Sequence, residues 1–287
     1  MSIHSLYSKL SPKMGTFGKY TLPLTFSKYN TKDTVINTRK PGYCTVFDVS
    51  HMGIFETNNK NVIENSFHIN VNKNKSKLTC IINKEGHIID DLIVGNVENY
   101  KYRLVVNANT KHLYRRNLFN HYVFKEKTDK VILAIQGDYS QKLLETILST
   151  NLDDLPFMGN KTIVTDSIEI SRCGYTGEDG FELYLDSNIG IDIYKSLIER
   201  SDTDDNIMFG GLIERDLLRL EAGMCLSGTD FGGNMGIHFD ALNMNFMVDS
   251  TYRNQDRFKS DYTRVGFTNT APIRVGPLYN TDNEEVG

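Results

Sequence analysis

The sequence predicts an α+β fold in more than one domain. Segments with the β-branched and apolar content of strands alternate with stretches of helical periodicity, without the regular strand–helix–strand rhythm of a parallel sheet. At 287 residues the chain exceeds one average domain, so two or three are expected. A hydrophobic fraction of 39% beside 24% charged residues is that of a globular protein in water.

Along the chain, Asn and Lys crowd residues 58–65 and 70–77, and both stretches are expected as polar loops. Residues 88–94, IIDDLIV, read as a strand. So do 103–107 (RLVVN), 131–135 (VILAI) and 167–171 (SIEIS). Residues 138–148 place Leu143, Leu144, Ile147 and Leu148 on one helical face, with Asp138 or Ser140 as the cap. Residues 174–180 form a glycine-spaced turn that runs into a strand over 181–185. A further helix is expected over 191–200, burying Tyr194, Leu197 and Ile198. The last helix lies within 211–228, with Gly223 where a helix end favours left-handed backbone. From Gly232 the pattern dissolves into Gly, Asn and Met. Short strand-like pieces, RVGF and APIRVGPLY, return around Arg264 before the chain stops at EEVG, which points to an incomplete last domain.

Bulk properties exclude several classes. A net charge of -4 without a long basic block provides no general field for nucleic acid. No apolar run approaches the length that spans a bilayer. Cys44, Cys80, Cys173 and Cys225 are widely spaced, with no CxxC pair and no cysteine–histidine cluster of zinc spacing. Buried reduced thiols are the simplest account, and no metal is expected. The N-terminal MSIHSLYSKL has neither the apolar core of a secretory signal nor the pattern of a transit peptide.

Four constellations could carry chemistry. In GLIERDLLRLEAGMCLSG (211–228), Arg215 and Arg219 share a helical face, with Glu214, Asp216 and Glu221 threaded between leucines. A structural salt-bridge network is one reading; a guanidinium that grips a planar carboxylate of the protein or a ligand is the other. In IIDDLIV, strand alternation puts Asp91 with Ile89 and Ile93, and Asp90 with Ile88, Leu92 and Val94. The two carboxylates should diverge, yet both faces are otherwise apolar, so at least one is carried inward, satisfied by backbone amides of a nearby turn or given a task. In GYTGEDGFELYL (174–185), Glu182 and Tyr184 line the face opposite Phe181, Leu183 and Leu185, as a solvated outer face or a ligand-facing carboxylate. Asp48, Ser50 and His51 are too close in sequence for a Ser-His-Asp triad, and no GxSxG elbow is present.

Together, FDVSHMG (47–53), GHIIDDLIV (86–94), VVNA (105–108), LAIQG (133–137), LPFM (155–158), SRCGYTGEDGFEL (171–183) and GLIERDLLRLEAGMCLSGTD (211–230) resemble, in order, the aminomethyltransferase (T-protein) family of the glycine cleavage system. The resemblance implies a three-domain cloverleaf of antiparallel sheets with helices around a folate site, ending in a β-barrel-like domain that is truncated here. It divides the chain into a discontinuous α+β domain of residues 1–46 and 130–235, a second α+β domain of 47–129 inserted in it, and the start of a third at 236–287. It also implies the reaction: the methylene carbon of an aminomethyl group on the lipoyl arm of the H-protein passes to tetrahydrofolate, releasing ammonia and forming 5,10-methylenetetrahydrofolate. The family works in the mitochondrial matrix of eukaryotes and the cytoplasm of bacteria.

Carried over position by position, the resemblance makes Asp91 the catalytic carboxylate, contacting the folate ring nitrogens. Glu182 and Arg215 match folate-binding positions, Met52, Leu78 and Tyr175 match contacts around its rings, and Arg264 matches an arginine near its anionic tail. Departures from the family pattern include His87 after Gly86, Phe17-Gly18-Lys19-Tyr20 near the start, Met235-Gly236-Ile237-His238 after the arginine helix, and the absence of tryptophan. The alternatives are a degenerate or truncated folate-binding homologue without transferase activity and, more remotely, an iron–sulfur cluster assembly relative. The latter carries Lys-Gly-Cys-x-x-Gly-Gln-Glu where this chain reads EAGMCLSG (221–228). A flavin-dependent demethylating dehydrogenase would need a GxGxxG domain that the chain has no room for.

Overall fold

A computed structural model describes residues 3–98, 101–115, 123–163, 168–233, 235–238, 240–242 and 244–249. Helix α1 (Ile3–Leu6) leads into an antiparallel hairpin of β1 (Pro12–Phe17) and β2 (Tyr20–Phe26). Helix α2 (Thr31–Thr38), whose first turn is capped by the Asn30 side chain on the Asp33 amide, carries the chain to β3 (Cys44–Asp48).

Every strand of the next sheet lies between residues 53 and 126: β4 (Gly53–Thr57), β5 (Lys75–Ile82), β6 (Ile88–Glu98), β7 (Lys101–Val106) and β8 (Lys125–Glu126). They pair antiparallel in the order β5-β6-β7-β4-β8. Helix α3 (Lys60–Phe67) packs on β5, and the short helix α4 (Lys111–Leu113) follows β7.

The chain then returns to β3 and builds a six-stranded sheet with β9 (Lys130–Gln136), β10 (Asn160–Ile163), β11 (Ile168–Ser171), β12 (Gly180–Asp186) and β13 (Ile207–Phe209). Its order is β10-β11-β12-β9-β3-β13, antiparallel except for the parallel β13–β3 pair. Helices α5 (Ser140–Leu148) and α6 (Ser187–Ser201) cover one face, burying Leu143, Leu144, Tyr194, Leu197 and Ile198 against Leu133, Ile135, Phe181 and Leu183. Helix α7 (Leu212–Glu221) follows β13 and packs on β2 and α2.

The other face of this sheet meets the five-stranded sheet. Phe47, Ile132, Ala134 and Tyr184 from one side share a core with Ile54 and Val105 from the other, with Met52 and Ile93 at its margin. This seam is the frame of the site. A separate cluster fastens the segment after α7 to the β5–β6 hairpin through Cys225, Phe231, Leu242, Met247 and Val248 against Cys80 and Ile88.

Several sequence expectations need correction. Residues 58–65 are not a polar loop: Asn59 caps α3 through the Val62 amide, and Ile63 and Phe67 are fully buried. Two buried side chains, each contributing about 2 kcal/mol, outweigh the low propensity of their polar neighbours. The polar stretch 70–77 likewise ends inside β5. Helix α5 is capped neither by Asp138 nor by Ser140: its N-cap is Tyr139, without a side-chain cap bond, and Asp138 accepts from the Gly42 amide instead. Helix α6 runs well beyond 191–200 at its start. The end of α7 closes as expected. Gly223 takes φ +71, its amide bonds to Leu220 O, and the Met224 amide bonds to Arg219 O at 2.9 Å, a Schellman motif that Gly alone enters without strain. All four cysteines are buried and outside any disulfide. Ser167 and the pieces around Arg264 lie outside the described residues, as does most of the expected third domain.

Candidate functional site

Strand β6 alternates as its sequence requires. Ile88, Asp90, Leu92 and Val94 are buried, while Ile89, Asp91 and Ile93 are partly exposed. The inward aspartate is Asp90, and side chains rather than turn amides satisfy it. Asn107 Nδ2 donates to Oδ1 at 2.9 Å, and the Ser227 hydroxyl donates to the same oxygen; the Thr110 and Tyr114 hydroxyls donate to Oδ2 at 2.5 and 2.6 Å. A carboxylate so surrounded by donors is a structural anchor, tying β6, the turn before α4 and the segment after α7 together.

Asp91 is held differently, with Asn107 as its side-chain donor. The two carboxylates do not diverge fully, because Asn107 Nδ2 also lies 2.7 Å from Asp91 Oδ1. Burial first, and the charge of Asp90 second, raise the Asp91 carboxyl to about 7, with the Asn107 hydrogen bond opposing them. A carboxyl that titrates near neutrality can both give and take a proton. Across the ladder Asp91 faces Cys80, and Leu78 faces Ile93, so these side chains share one side of the hairpin. The Cys80 thiol is pushed up to about 12, by burial and then by Asp91.

Arg215 reaches the seam from the first turns of α7. Its Nη2 stands 4.0 Å from Glu182 Oε1, and its guanidinium lies 5.2 Å from the Tyr175 ring centre and 6.0 Å from that of Phe47. Nη1 is buried with no hydrogen-bond partner among the described residues, and burial pulls the guanidinium below its usual range. Glu182 is 4% exposed and accepts from the Tyr184 hydroxyl at 2.7 Å. The face of β12 that holds both is therefore not a solvated outer face. Tyr175 donates to Cys225 O at 2.5 Å, and its hydroxyl is raised by burial, with both Arg219 and Asp91 acting on it. Arg219 is engaged elsewhere: it pairs with Asp216 at 2.8 Å and Asp230 at 2.7 Å, and donates to Met224 O at 3.0 Å. Of the two readings of this helix, the salt-bridge network fits Arg219, and the open guanidinium fits Arg215.

His51 completes the local field. Burial, then the charges of Arg215 and Lys111, hold its imidazole down to about 3, so it is neutral at ordinary pH. Phe17 and Tyr20 of the β1–β2 hairpin lie edge-on or tilted to its ring at 5.7 and 6.1 Å. The triad is absent, as expected: Ser50 donates directly to Asp48, whose other oxygen accepts from Tyr7 at 2.6 Å.

Tyr175, Glu182 and Arg215 thus come together along the seam, with Met52 and Ile93 beside them, and Asp91 is near enough to Tyr175 to act on it electrostatically. Leu78 sits farther along β5, in the cluster with Cys225 and Phe231. Arg264 lies outside the described residues. A shallow opening beside Arg215 is lined by Tyr7, Leu22, Phe26, Phe47, Asp48 and Gly211 among others, but it reaches none of Asp91, Tyr175 and Glu182. Two residues beside the site were given no role of their own from sequence, Asn107 and Tyr184, although Tyr184 was placed on the Glu182 face. Asn107 directly follows β7, and its position beside two acidic residues on the neighbouring strand follows only from register. Among the described residues no group of three or more His, Cys, Asp and Glu could hold a metal ion, and no helix is long and apolar enough to cross a membrane.

A family model described as the GCVT N-terminal domain matches residues 3–251. The chain is 33% identical over 243 residues to an aminomethyltransferase of Staphylococcus carnosus, covering 79% of this chain and 65% of that protein. It is 36% identical over 241 residues to one of Phocaeicola vulgatus, covering 77% and 64%. The crystal structure of glycine cleavage system aminomethyltransferase T from Bartonella henselae superposes with a TM-score of 0.73 at 27% identity, over 88% of this chain and 70% of that one. The chain spans about two thirds of the length of the curated relatives it matches.

Proposed function

Because the chain belongs to the GCVT N-terminal domain family of aminomethyltransferases, we propose that it moves the methylene carbon of an aminomethyl group from the lipoyl arm of a glycine cleavage H-protein to tetrahydrofolate, releasing ammonia. The observation that carries the reading is the meeting of Tyr175, Glu182 and Arg215 at one seam between two sheets, with Asp91 near enough to act on Tyr175.

The residues present suit a reduced pterin. Arg215 Nη1 is buried and unpartnered among the described residues, an orphaned donor that a carbonyl or ring-nitrogen acceptor would satisfy. Glu182 offers a carboxylate to the amino edge of such a ring, Tyr175 and Met52 supply a flat and a soft apolar surface, and Leu78 extends that surface along β5. Bound there, tetrahydrofolate supplies the nucleophilic nitrogen that receives the one-carbon unit. Asp91 stabilises positive charge developing at the transferred carbon and relays the proton that must leave the attacking nitrogen, tasks that suit a carboxyl titrating near 7. Neutral His51 leaves the positive charge at the seam to Arg215 and Lys111. Arg264 is assigned the anionic tail of folate.

The same reading divides the chain into residues 1–46 with 130–235, the inserted 47–129 and the start of a third domain from 236. The separate origin of the strands in the two sheets supports an inserted unit, with β3 of the first sheet running on to Asp48. The bacterial relatives support a cytoplasmic rather than a mitochondrial address.

The test is calorimetric titration with tetrahydrofolate, followed by methylenetetrahydrofolate formation from an aminomethyl-loaded lipoyl carrier protein. The parent binds and turns over, and Asp91→Asn binds without turning over. An Asp91→Asn variant as active as the parent would remove the assigned role. Folate binding by the parent without any transfer would instead favour a folate-binding homologue that lacks the activity.

A further inference from the structure

Arg103 is 1% exposed, an unusual position for a guanidinium, and it lies on β7 of the five-stranded sheet while all its partners described here except its own sheet neighbours come from the six-stranded one. Nη1 donates to Glu169 at 2.6 Å and Nη2 to Ser171 at 2.7 Å, both on β11. Its guanidinium carbon sits 3.4 Å from the centre of the Tyr184 ring, a close cation–π stack. Tyr184 in turn donates from its hydroxyl to Glu182 Oε2 at 2.7 Å, and the other oxygen of Glu182 faces Arg215 at 4.0 Å. Four side chains on three elements therefore form one line, Arg103–Tyr184–Glu182–Arg215, across the seam.

We infer that Arg103 and Tyr184 are positioning residues: the guanidinium clamps the Tyr184 ring, and the Tyr184 hydroxyl fixes the Glu182 carboxylate in the orientation that receives folate. This rests on the reading of Glu182 as a folate ligand. The physical need is specific. A glutamate carboxylate rotates freely about its last bond; the Tyr184 hydroxyl, two residues along the strand, holds one oxygen at 2.7 Å, beside a hydrogen bond to the same carboxylate from the buried Cys173 thiol. A phenol held by a stacked guanidinium cannot swing away, because its ring would lose the stack and its β12 packing together. Lysine cannot replace Arg103, since an ammonium lacks the planar face and the fork that reach Tyr184, Glu169 and Ser171 at once.

The experiment compares the full chain with Tyr184→Phe, Arg103→Lys, Glu182→Gln and the double variant Glu182→Gln/Tyr184→Phe. Each is titrated with tetrahydrofolate, assayed for kcat and KM, and melted. Tyr184→Phe keeps the ring and the stack and removes only the hydroxyl. It is expected to weaken folate binding about tenfold, the size of one hydrogen bond to a charged group, with kcat at saturating folate within about twofold of the parent and the melting curve preserved. Arg103→Lys shifts KM in the same direction. The double variant binds no more weakly than Glu182→Gln alone, because the hydroxyl acts only through that carboxylate. If Glu182→Gln loses affinity while Tyr184→Phe binds as the parent does, the positioning role is overturned and Glu182 remains a ligand. If Glu182→Gln itself binds folate like the parent, the ligand reading of Glu182 fails, and this inference with it.

Discussion

The side-chain nitrogen of Asn107 stands 2.7 Å from Oδ1 of Asp91, and the same nitrogen lies 2.9 Å from Oδ1 of Asp90. One amide thus serves two adjacent carboxylates, of which one is saturated with donors and the other is left near its titration point. Asn107→Ala removes the hydrogen bond that favours ionised Asp91 and leaves the repulsion from Asp90 unmoderated. The acid limb of the rate-against-pH profile, set by Asp91 near 7, is expected to move to higher pH. A profile that superposes on the parent's would show that Asn107 does not tune this group.

Asp91 and His51 should oppose one another in the pH dependence of stability. Asp91 is raised from 3.8 to about 7, so between those values the folded state holds more protons than the unfolded one, and its contribution falls as pH rises. His51 is lowered from 6.5 to about 3, so over that interval the folded state holds fewer protons, and its contribution rises with pH. Each slope reaches at most about 1.4 kcal/mol per pH unit. Between about pH 4 and 6.5 the two offset. Urea denaturation across that range is expected to show Asp91→Asn gaining stability relative to the parent with rising pH, and His51→Asn losing it. Parallel curves for both variants would contradict this assignment.

Glu214, 1% exposed, accepts from the Thr25 and Thr31 hydroxyls at 2.5 Å each and from its own N-cap amide, Gly211, at 2.8 Å. It holds the β1–β2 hairpin, the start of α2 and the start of α7 at one point. Glu214→Ala leaves the buried Gly211 amide and the two part-buried threonine hydroxyls without this acceptor and should destabilise the protein by about 2–4 kcal/mol in chemical denaturation. Glu214→Gln, which keeps an acceptor, should lose less.

Arg215→Lys keeps the charge but gives up the guanidinium plane over Tyr175 and the orphaned Nη1. Folate affinity should drop about tenfold. The unfolding free energy should change by less than about 1 kcal/mol, since among the described residues the Arg215 side chain makes no hydrogen bond and approaches Glu182 only to 4.0 Å. An equal loss of stability and affinity would recast Arg215 as a structural residue.

Much of the secondary structure was legible from the chain because neighbours a few residues apart decide it. The leucine spacing of α5, the Gly223 termination of α7 and the alternation of β6 are local patterns, and each appears in the structure. The loop expected at 58–65 failed for the complementary reason: its helix is held by Ile63 and Phe67, whose burial depends on a sheet built from distant residues.

By itself, then, the sequence determined several of the strands and helices, the inward turn of one aspartate and the motifs that place the chain in its family. Only the tertiary structure decided that Asp90 is the anchored carboxylate and Asp91 the titrating one, that Arg219 is spent on Asp216 and Asp230 while Arg215 stays open, and that the Glu182–Tyr184 face is sealed rather than wet. The physical reason is separation along the chain. Asp90 meets Ser227 across 137 residues and Arg103 meets Glu169 across 66, and burial, which sets both charge state and hydrogen-bond partner, exists only once those segments are packed together.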